Sequence, residues 1–156
     1  MTAPSDSFKT AADRPTYGDG MTPRINGFGV VVADMGRALT FYRRLGLVFP
    51  DGADTEPHAE AELPGGLRLL FDTNETIASF DPSFAPPTGD ARMSMAFACD
   101  SPSDVDAVYA DLTRAGYEGH LAPFDAFWGQ RYATVHDPDG NPVDLFAALP
   151  ETAATE

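Results

Sequence analysis

The sequence predicts an α+β protein built from two βαβββ modules in tandem. Two observations support this: apolar segments alternate between strand and helix periodicities, and their order recurs along the chain. The apolar stripe of the first helix recurs 67 positions later as four similar residues: Ala38, Phe41, Tyr42 and Leu45 against Val105, Val108, Tyr109 and Leu112. The closing strands recur with an offset of 74, which places Leu69 on Val143 and Phe71 on Leu145.

The first module is expected over residues 24–72. Its first strand, residues 25–33, is a continuous apolar run, which is typical of a strand buried on both faces. Asp34 is expected to cap a helix that ends at Gly46. A Pro-Gly-Gly turn at residues 64–66 then joins two strands as a hairpin. The later strands of this module are expected at residues 47–49, 58–63 and 67–71.

The second module, residues 92–149, repeats this order after a linker at residues 73–91. Ser103 is expected to cap its helix and Gly116 to end it. Its strands are expected at residues 93–99, 118–122, 131–136 and 143–147. The linker is rich in proline, and its apolar side chains are expected to pack down onto the modules: Ile77, Phe80 and Phe84.

The ends of the chain have little apolar periodicity. Residues 1–23 predict a flexible leader and residues 150–156 a tail. No signal peptide and no apolar run of about 18 residues is found, so we expect a cytoplasmic protein with no membrane partner. The one cysteine, Cys99, excludes an internal disulfide framework; a buried inert thiol is favoured over a reactive one.

The charge balance is strongly acidic. The chain has 24 acidic and 10 basic residues, a net charge of −14. This opposes nucleic-acid binding and favours a cationic ligand through electrostatic steering, although solubility alone also accounts for it.

A turn followed by a strand closes the second module. Residues 137–146 contain a Pro-Asp-Gly turn and then a short apolar strand that carries one acid. Alternation along that strand places Asp144 and Phe146 on the same face. A Trp128-Gly129 pair and a further strand precede the turn.

This combination of Trp-Gly, a strand, Asp-Pro-Asp-Gly-Asn and a closing strand with an acid resembles the last part of the vicinal oxygen chelate superfamily. That superfamily includes glyoxalase I, extradiol dioxygenases, fosfomycin-resistance enzymes and bleomycin-resistance proteins. The resemblance covers residues 25–149. It implies a glyoxalase/bleomycin-resistance-like fold, in which the two modules form a curved mixed sheet whose concave face holds a metal or a ligand.

The resemblance also implies four metal-ligand positions, on the first and last strands of the modules: Gly27, Leu70, Ser94 and Asp144. A divalent ion needs three or four lone-pair donors, and only Asp144 offers a carboxylate. We therefore expect no metal bound in the family manner and no cofactor. The histidines lack the short paired spacing of a metal motif and are expected to be surface or strand-edge imidazoles: His58, His120 and His136.

The concave face is expected to be lined largely by small and apolar residues: Gly27, Gly29, Val31, Arg68, Leu70, Asp72, Ser94, Ala96, Ala98, Asp144 and Phe146. The two glycines indicate close backbone approach, room for a ligand, or packing of a helix or loop against the strand. A loop at residues 123–129 is expected to bring aromatic side chains to the mouth of this face: Phe124, Phe127 and Trp128. These rings suit a flat or cationic ligand, or serve as hydrophobic cover over the strands.

Two functional classes follow. The favoured one is a metal-free protein that binds a small, partly aromatic and cationic molecule, similar to the bleomycin-resistance branch, which the resemblance implies is a homodimer. Its predicted ligand-binding residues are Leu70, Ser94, Phe124, Trp128, Asp144 and Phe146, with Asp125 or Asp72 as alternative counter-charges. The other class is a glyoxalase-like lyase or isomerase, or a dioxygenase, for which Asp144 is the one candidate catalytic residue, as a general base. Sequence motifs of hydrolases, nucleotide-binding proteins and zinc fingers are absent.

Overall fold

The computed structural model describes residues 17–21 and 23–151. Most of the predicted leader and nearly all of the predicted tail lie outside these residues. Within the leader, Tyr17 and Met21 form an isolated bridge around a 3₁₀ turn at Gly18–Gly20. Among the described helices, none has the length and apolar character needed to cross a membrane.

The described strands and helices form two mixed sheets with one helix packed on each. In chain order they are β1 (Gly27–Val32), α1 (Met35–Arg44), β2 (His58–Glu62), β3 (Arg68–Thr73), α2 (Asn74–Phe80), β4 (Met95–Ala98), α3 (Pro102–Arg114), β5 (Gly119–Ala126), β6 (Gln130–His136) and β7 (Pro142–Ala148). The sheet orders are β1-β3-β2 and β4-β7-β6-β5. The first strand of each module pairs parallel to the last, and the other pairs are antiparallel. The predicted α+β class with two βαβββ-like modules is confirmed, with the strands divided between two sheets.

The internal repeat predicts the strand register correctly. Phe28 pairs with Leu69 in the first sheet, and Met95 pairs with Val143 in the second. The offsets of 67 and 74 carry the first pair onto the second. The modules are therefore equivalent in register as well as in element order.

The strand expected at residues 47–49 does not form. Val48 is exposed, whereas the buried Phe49 ring packs edge-on against Phe71 with 5.5 Å between centroids. The segment lies between the turn at Gly46 and Pro50, which has no backbone N–H to donate to a ladder. It therefore fills the core as an irregular segment, and the first sheet has three strands against four in the second.

Both main helices begin at side-chain caps. Asp34 Oδ1 accepts a hydrogen bond of 2.8 Å from Arg37 N, as predicted for the start of α1. The cap of α3 is Ser101, whose Oγ accepts from Asp104 N at 3.2 Å, so the prediction of Ser103 was wrong. Pro102 accounts for the difference, because proline is favoured at the first helical position, where no N–H partner is needed.

The linker contains a helix, α2, which the sequence analysis did not predict. Thr73 caps it. The Phe80 side chain is 70% exposed, so the expectation that it packs down was wrong, while Ile77 and Phe84 are partly buried. The helix lies beside β1 and β3.

One hydrophobic core runs through both modules. It includes Phe41 and Tyr42 from α1, and Val105 and Leu112 from α3. The expectation that the first strand is buried on both faces was wrong. Val32 is fully buried in the core, but Phe28 is 39% exposed and Gly29 is exposed. Each sheet thus has a core face and a second face, which we call its open face.

The Asp-Pro-Asp-Gly turn after β6 joins the modules. The Tyr42 hydroxyl donates to Asp137 Oδ2 at 2.7 Å, and Ala33 N donates to Asp139 Oδ1 at 2.9 Å. Gly140 takes the left-handed conformation that the turn requires, with φ of 84°. A motif predicted as a local turn therefore also links the second module to the first.

Candidate functional site

The open faces of the two sheets have equivalent positions but different chemistry. In the first sheet, His58 pairs with Asp72 and Glu60 pairs with Leu70. The offset of 74 places these pairs on neighbouring pairs of the second sheet: Tyr132 with Phe146 and Thr134 with Asp144. The first open face is therefore mainly charged, and the second combines hydroxyl groups and aromatic rings around one acid.

Asp144 is held at the centre of the second open face. Ser94 Oγ donates to Asp144 Oδ2 and Thr134 Oγ1 donates to Asp144 Oδ1, both at 2.8 Å. Burial, followed by the neighbouring Asp144 carboxylate, raises the pKa of Tyr132 to about 12, so this phenol is un-ionised at neutral pH. A carboxylate has about four lone-pair positions, so Asp144 has acceptor capacity left for a ligand.

An aromatic cluster borders this carboxylate. The Trp128 ring lies edge-on to Tyr132 at 5.3 Å and to Phe124 at 6.2 Å between centroids. Trp128 Nε1 donates to Gln130 Oε1 at 2.8 Å, which orients the indole while leaving it 48% exposed. Phe146 is the cross-strand partner of Tyr132 and carries the aromatic surface towards Asp144. The cluster presents ring faces and edges that a ligand can contact.

The loop expected at residues 123–129 is mostly strand. Phe124 and Asp125 belong to β5, which continues to Ala126, and only Phe127–Gly129 turns the chain. Strand pairing through this region accounts for the difference, because Phe124 pairs with Tyr132. Phe127 lies at the tip and is 97% exposed.

Asp125 lies on the other side of the sheet from the aromatic cluster. Its carboxylate pairs with Arg131 at 3.1 Å, and Arg131 also contacts Asp106 of α3 at 3.0 Å. The expectation that Asp125 supplies a counter-charge on the concave face was therefore wrong. Strand alternation accounts for it, because residues 124 and 125 point to opposite faces.

The first open face carries a row of ion pairs. His58 Nδ1 lies 2.7 Å from Asp72 Oδ1, and His58 Nε2 lies 2.9 Å from Glu60 Oε1. Arg68 Nη1 donates to both oxygens of Glu60 at 2.8 Å. Hydrogen bonding to Glu60 and then to Asp72 raises the pKa of His58. Asp72 is therefore already paired, which makes it a weaker counter-charge for a ligand than Asp144.

The two glycines of β1 have different structural reasons. A Cβ on Gly27 would lie 2.6 Å from the Arg68 carbonyl oxygen, so close backbone approach requires glycine there. A Cβ on Gly29 would meet no atom within 4 Å. Gly29 and its cross-strand partner Leu70 therefore form a low, open floor on the first sheet.

The four positions implied for metal ligands do not make a metal site. Ser94 and Asp144 lie together, but Gly27 and Leu70 provide no side-chain donor, so the set supplies one carboxylate and one hydroxyl. Within residues 17–21 and 23–151, no three His, Cys, Asp or Glu side chains converge as a metal site. The donor set thus does not fit the superfamily's metal.

Two further features lie away from the aromatic cluster. A groove of about 650 Å³ separates the start of α1 from the turns beside Gly116 and Asp137, and its lining includes Arg37, Glu118 and His136. Cys99 is partly buried, and burial, followed by Asp104 and Asp100, raises the pKa of its thiol, which favours an inert role.

Sequence reasoning missed Tyr132 and the ion pairs of the first open face. Tyr132 shares the face of Thr134 by strand alternation, so parity along β6 would have found it once the register was known. Of the six predicted ligand-binding residues, five lie on or beside the second open face, and Leu70 lies on the first: Ser94, Phe124, Trp128, Asp144 and Phe146.

Comparison with known proteins identifies the family. The family model of the Glyoxalase/Bleomycin resistance protein/Dioxygenase superfamily matches residues 24–145. The chain therefore belongs to this superfamily. Comparison with curated proteins finds no match.

Solved structures of the same superfamily share the fold. A glyoxalase/bleomycin resistance protein/dioxygenase from Nocardioides is 25% identical, with a TM-score of 0.63, over 87% of this chain and 90% of that one. A family enzyme from Burkholderia phytofirmans is 17% identical, with a TM-score of 0.69, over 80% and 98%. A lactoylglutathione lyase from Agrobacterium tumefaciens is 19% identical, with a TM-score of 0.58, over 81% and 95%. These similarities establish fold and superfamily without singling out one branch.

Proposed function

We propose that this protein binds a flat, cationic, partly aromatic small molecule on its second open face, without a metal ion there. The observation that carries the proposal is the fixed Asp144 carboxylate beside the exposed Trp128 ring. A carboxylate oriented by two hydroxyl groups favours a charge-assisted hydrogen bond, and the adjacent rings favour stacking and cation–π contact. The net charge of −14 adds steering towards cations.

Within the superfamily, this chemistry favours the bleomycin-resistance type of function, in which a drug or metabolite is sequestered without reaction. A cytoplasmic homodimer belongs to the same proposal. The alternative, a glyoxalase-like lyase or isomerase or a dioxygenase, requires a metal that polarises substrate oxygens. Gly27 and Leu70 stand at two of the four positions that would hold that metal. The donor set therefore favours binding over this chemistry.

The proposal is tested by thermal shift with a panel of aromatic cations and bleomycin-type glycopeptides, beside metal analysis of the purified protein. A ligand that binds the folded state raises the Tm by linkage. We expect a rise that Trp128→Ala and Asp144→Asn each abolish. Phe80→Ala and Asp125→Asn are matched controls, because they remove an exposed aromatic ring and an acid elsewhere on the surface.

Two results would contradict the proposal. One is a Tm rise that survives both site variants. The other is a stoichiometric metal that Asp144→Asn removes, which would direct attention to lyase and dioxygenase assays.

A further inference from the structure

Two histidines predicted to be separate surface imidazoles lie against each other at the ends of β5 and β6. The His120 and His136 rings stack with 4.6 Å between centroids and 20° between planes. The strand register shifts here: Gly119 pairs with Val135, but Leu121 pairs with Thr134. This irregularity brings His120 beside His136, a contact that sequence spacing alone does not indicate.

A carboxylate accompanies the pair. Glu118 accepts the backbone N–H of His136 at 2.9 Å, which fixes the two residues side by side. Its side-chain Oε2 lies 3.6 Å from His136 Nδ1, and the side chain is mostly exposed. A small rotation of this carboxylate would let it accept a hydrogen bond from Nδ1–H, leaving Nε2 of His136 as the free donor atom. Carboxylates orient metal-binding histidines in this way.

We propose that His120 and His136 chelate a divalent transition-metal ion, with Glu118 as the residue that positions the His136 ring. Imidazole nitrogen suits Zn²⁺, Ni²⁺ and Cu²⁺, and two nitrogens bound at about 2.0–2.1 Å lie at most about 4.2 Å apart. Rings with centroids 4.6 Å apart reach that separation by small side-chain rotations. No convergent set of three ligands exists among the described residues, so this site uses two imidazoles and leaves the other coordination positions to water.

The site is separate from the metal positions of the superfamily. Those positions correspond to Gly27, Leu70, Ser94 and Asp144, on other strands. His136 and Glu118 instead line the groove of about 650 Å³ between α1 and the turns of the second module. Open coordination positions on the ion would face solvent or a ligand in this groove. The surrounding negative charge favours a cation here.

The test is a titration of the full chain with Zn²⁺, followed by calorimetry and by NMR of the imidazole resonances. We expect His120 and His136 resonances to shift together at one equivalent of Zn²⁺, while those of His58 do not. His120→Gln and His136→Gln should each weaken binding by at least about tenfold. His58→Gln is the matched control, because it removes the remaining histidine, which is paired with carboxylates on another sheet.

Glu118→Gln tests the positioning role separately. We expect about tenfold weaker Zn²⁺ binding and a change in the His136 tautomer seen in long-range ¹H–¹⁵N spectra. The chelate is wrong if both single-histidine variants bind Zn²⁺ as tightly as the wild type, or if Zn²⁺ moves only the His58 resonances or none. An unchanged tautomer and affinity in Glu118→Gln would remove Glu118 from the site.

Discussion

The Tyr42 hydroxyl donates a 2.7 Å hydrogen bond to Asp137 Oδ2, joining the first helix to a turn 95 residues later. Asp137 is 4% exposed and also accepts from Asp139 N, Asn141 N and Asn141 Nδ2. Burial and the Asp137 carboxylate raise the pKa of Tyr42 far above the physiological range, so the phenol stays a donor. This buried contact connects the two modules.

Tyr42→Phe should destabilise the protein because it removes one donor from a buried carboxylate. A hydrogen bond to a charged group contributes about 1.5–3 kcal/mol, and the three remaining donors to Asp137 place the expected loss near the lower end. Urea unfolding measures the change. Exposed Tyr17→Phe is the control, and equal stability of the two variants would show that the junction contributes nothing.

The first-strand glycines give a matched pair of substitutions. Gly27→Ala should lower the free energy of unfolding by about 1–3 kcal/mol, because the new methyl group would collide with the Arg68 carbonyl oxygen. Gly29→Ala meets no atom within 4 Å and should be neutral or stabilising by up to about 1 kcal/mol through reduced unfolded-state entropy. Denaturant unfolding of both variants tests this. Equal effects would refute the distinction between close approach and open floor.

The ion pairs of His58 should make stability depend on pH. The folded-state pKa of His58 is raised, mainly by Glu60, so its stabilising contribution is complete below the unfolded value of about 6.5 and is lost as pH rises through the folded value. The contribution also needs ionised carboxylates, and hydrogen bonding to His58 lowers the pKa of Glu60, which extends the favourable range to more acid pH.

Comparison of wild type with His58→Gln by unfolding at a series of pH values measures this effect. The stability difference should be largest near pH 6, shrink towards pH 9 and weaken in high salt, because these side chains are exposed. A difference that grows with pH would contradict the assignment.

Local patterns predicted most of the fold because they record it residue by residue. The offsets of 67 and 74 predicted the pairing of Phe28 with Leu69 and of Met95 with Val143, since apolar periodicity and register follow the same alternation. Asp34 was predictable for the same reason, as its cap depends on residues a few positions away.

Features that depend on three-dimensional approach were not predictable. The stacking of His120 on His136 follows from a register irregularity between β5 and β6, which carries no sequence signal. The pairing of Asp125 with Arg131 required knowing that β5 continues through this residue. The segment at Phe49 had strand-like composition, but core filling and Pro50 prevented pairing.

The most direct test of ligand binding uses the fluorescence of Trp128, the one tryptophan in the chain. Its indole lies 5.3 Å from the Tyr132 ring and is exposed on the second open face, so a stacked ligand should change its emission. We predict saturable quenching by an aromatic cation, weakened at least about tenfold by Asp144→Asn and unaffected by Asp125→Asn. Quenching that is linear in ligand concentration, or equal in both variants, would contradict a binding site at Asp144.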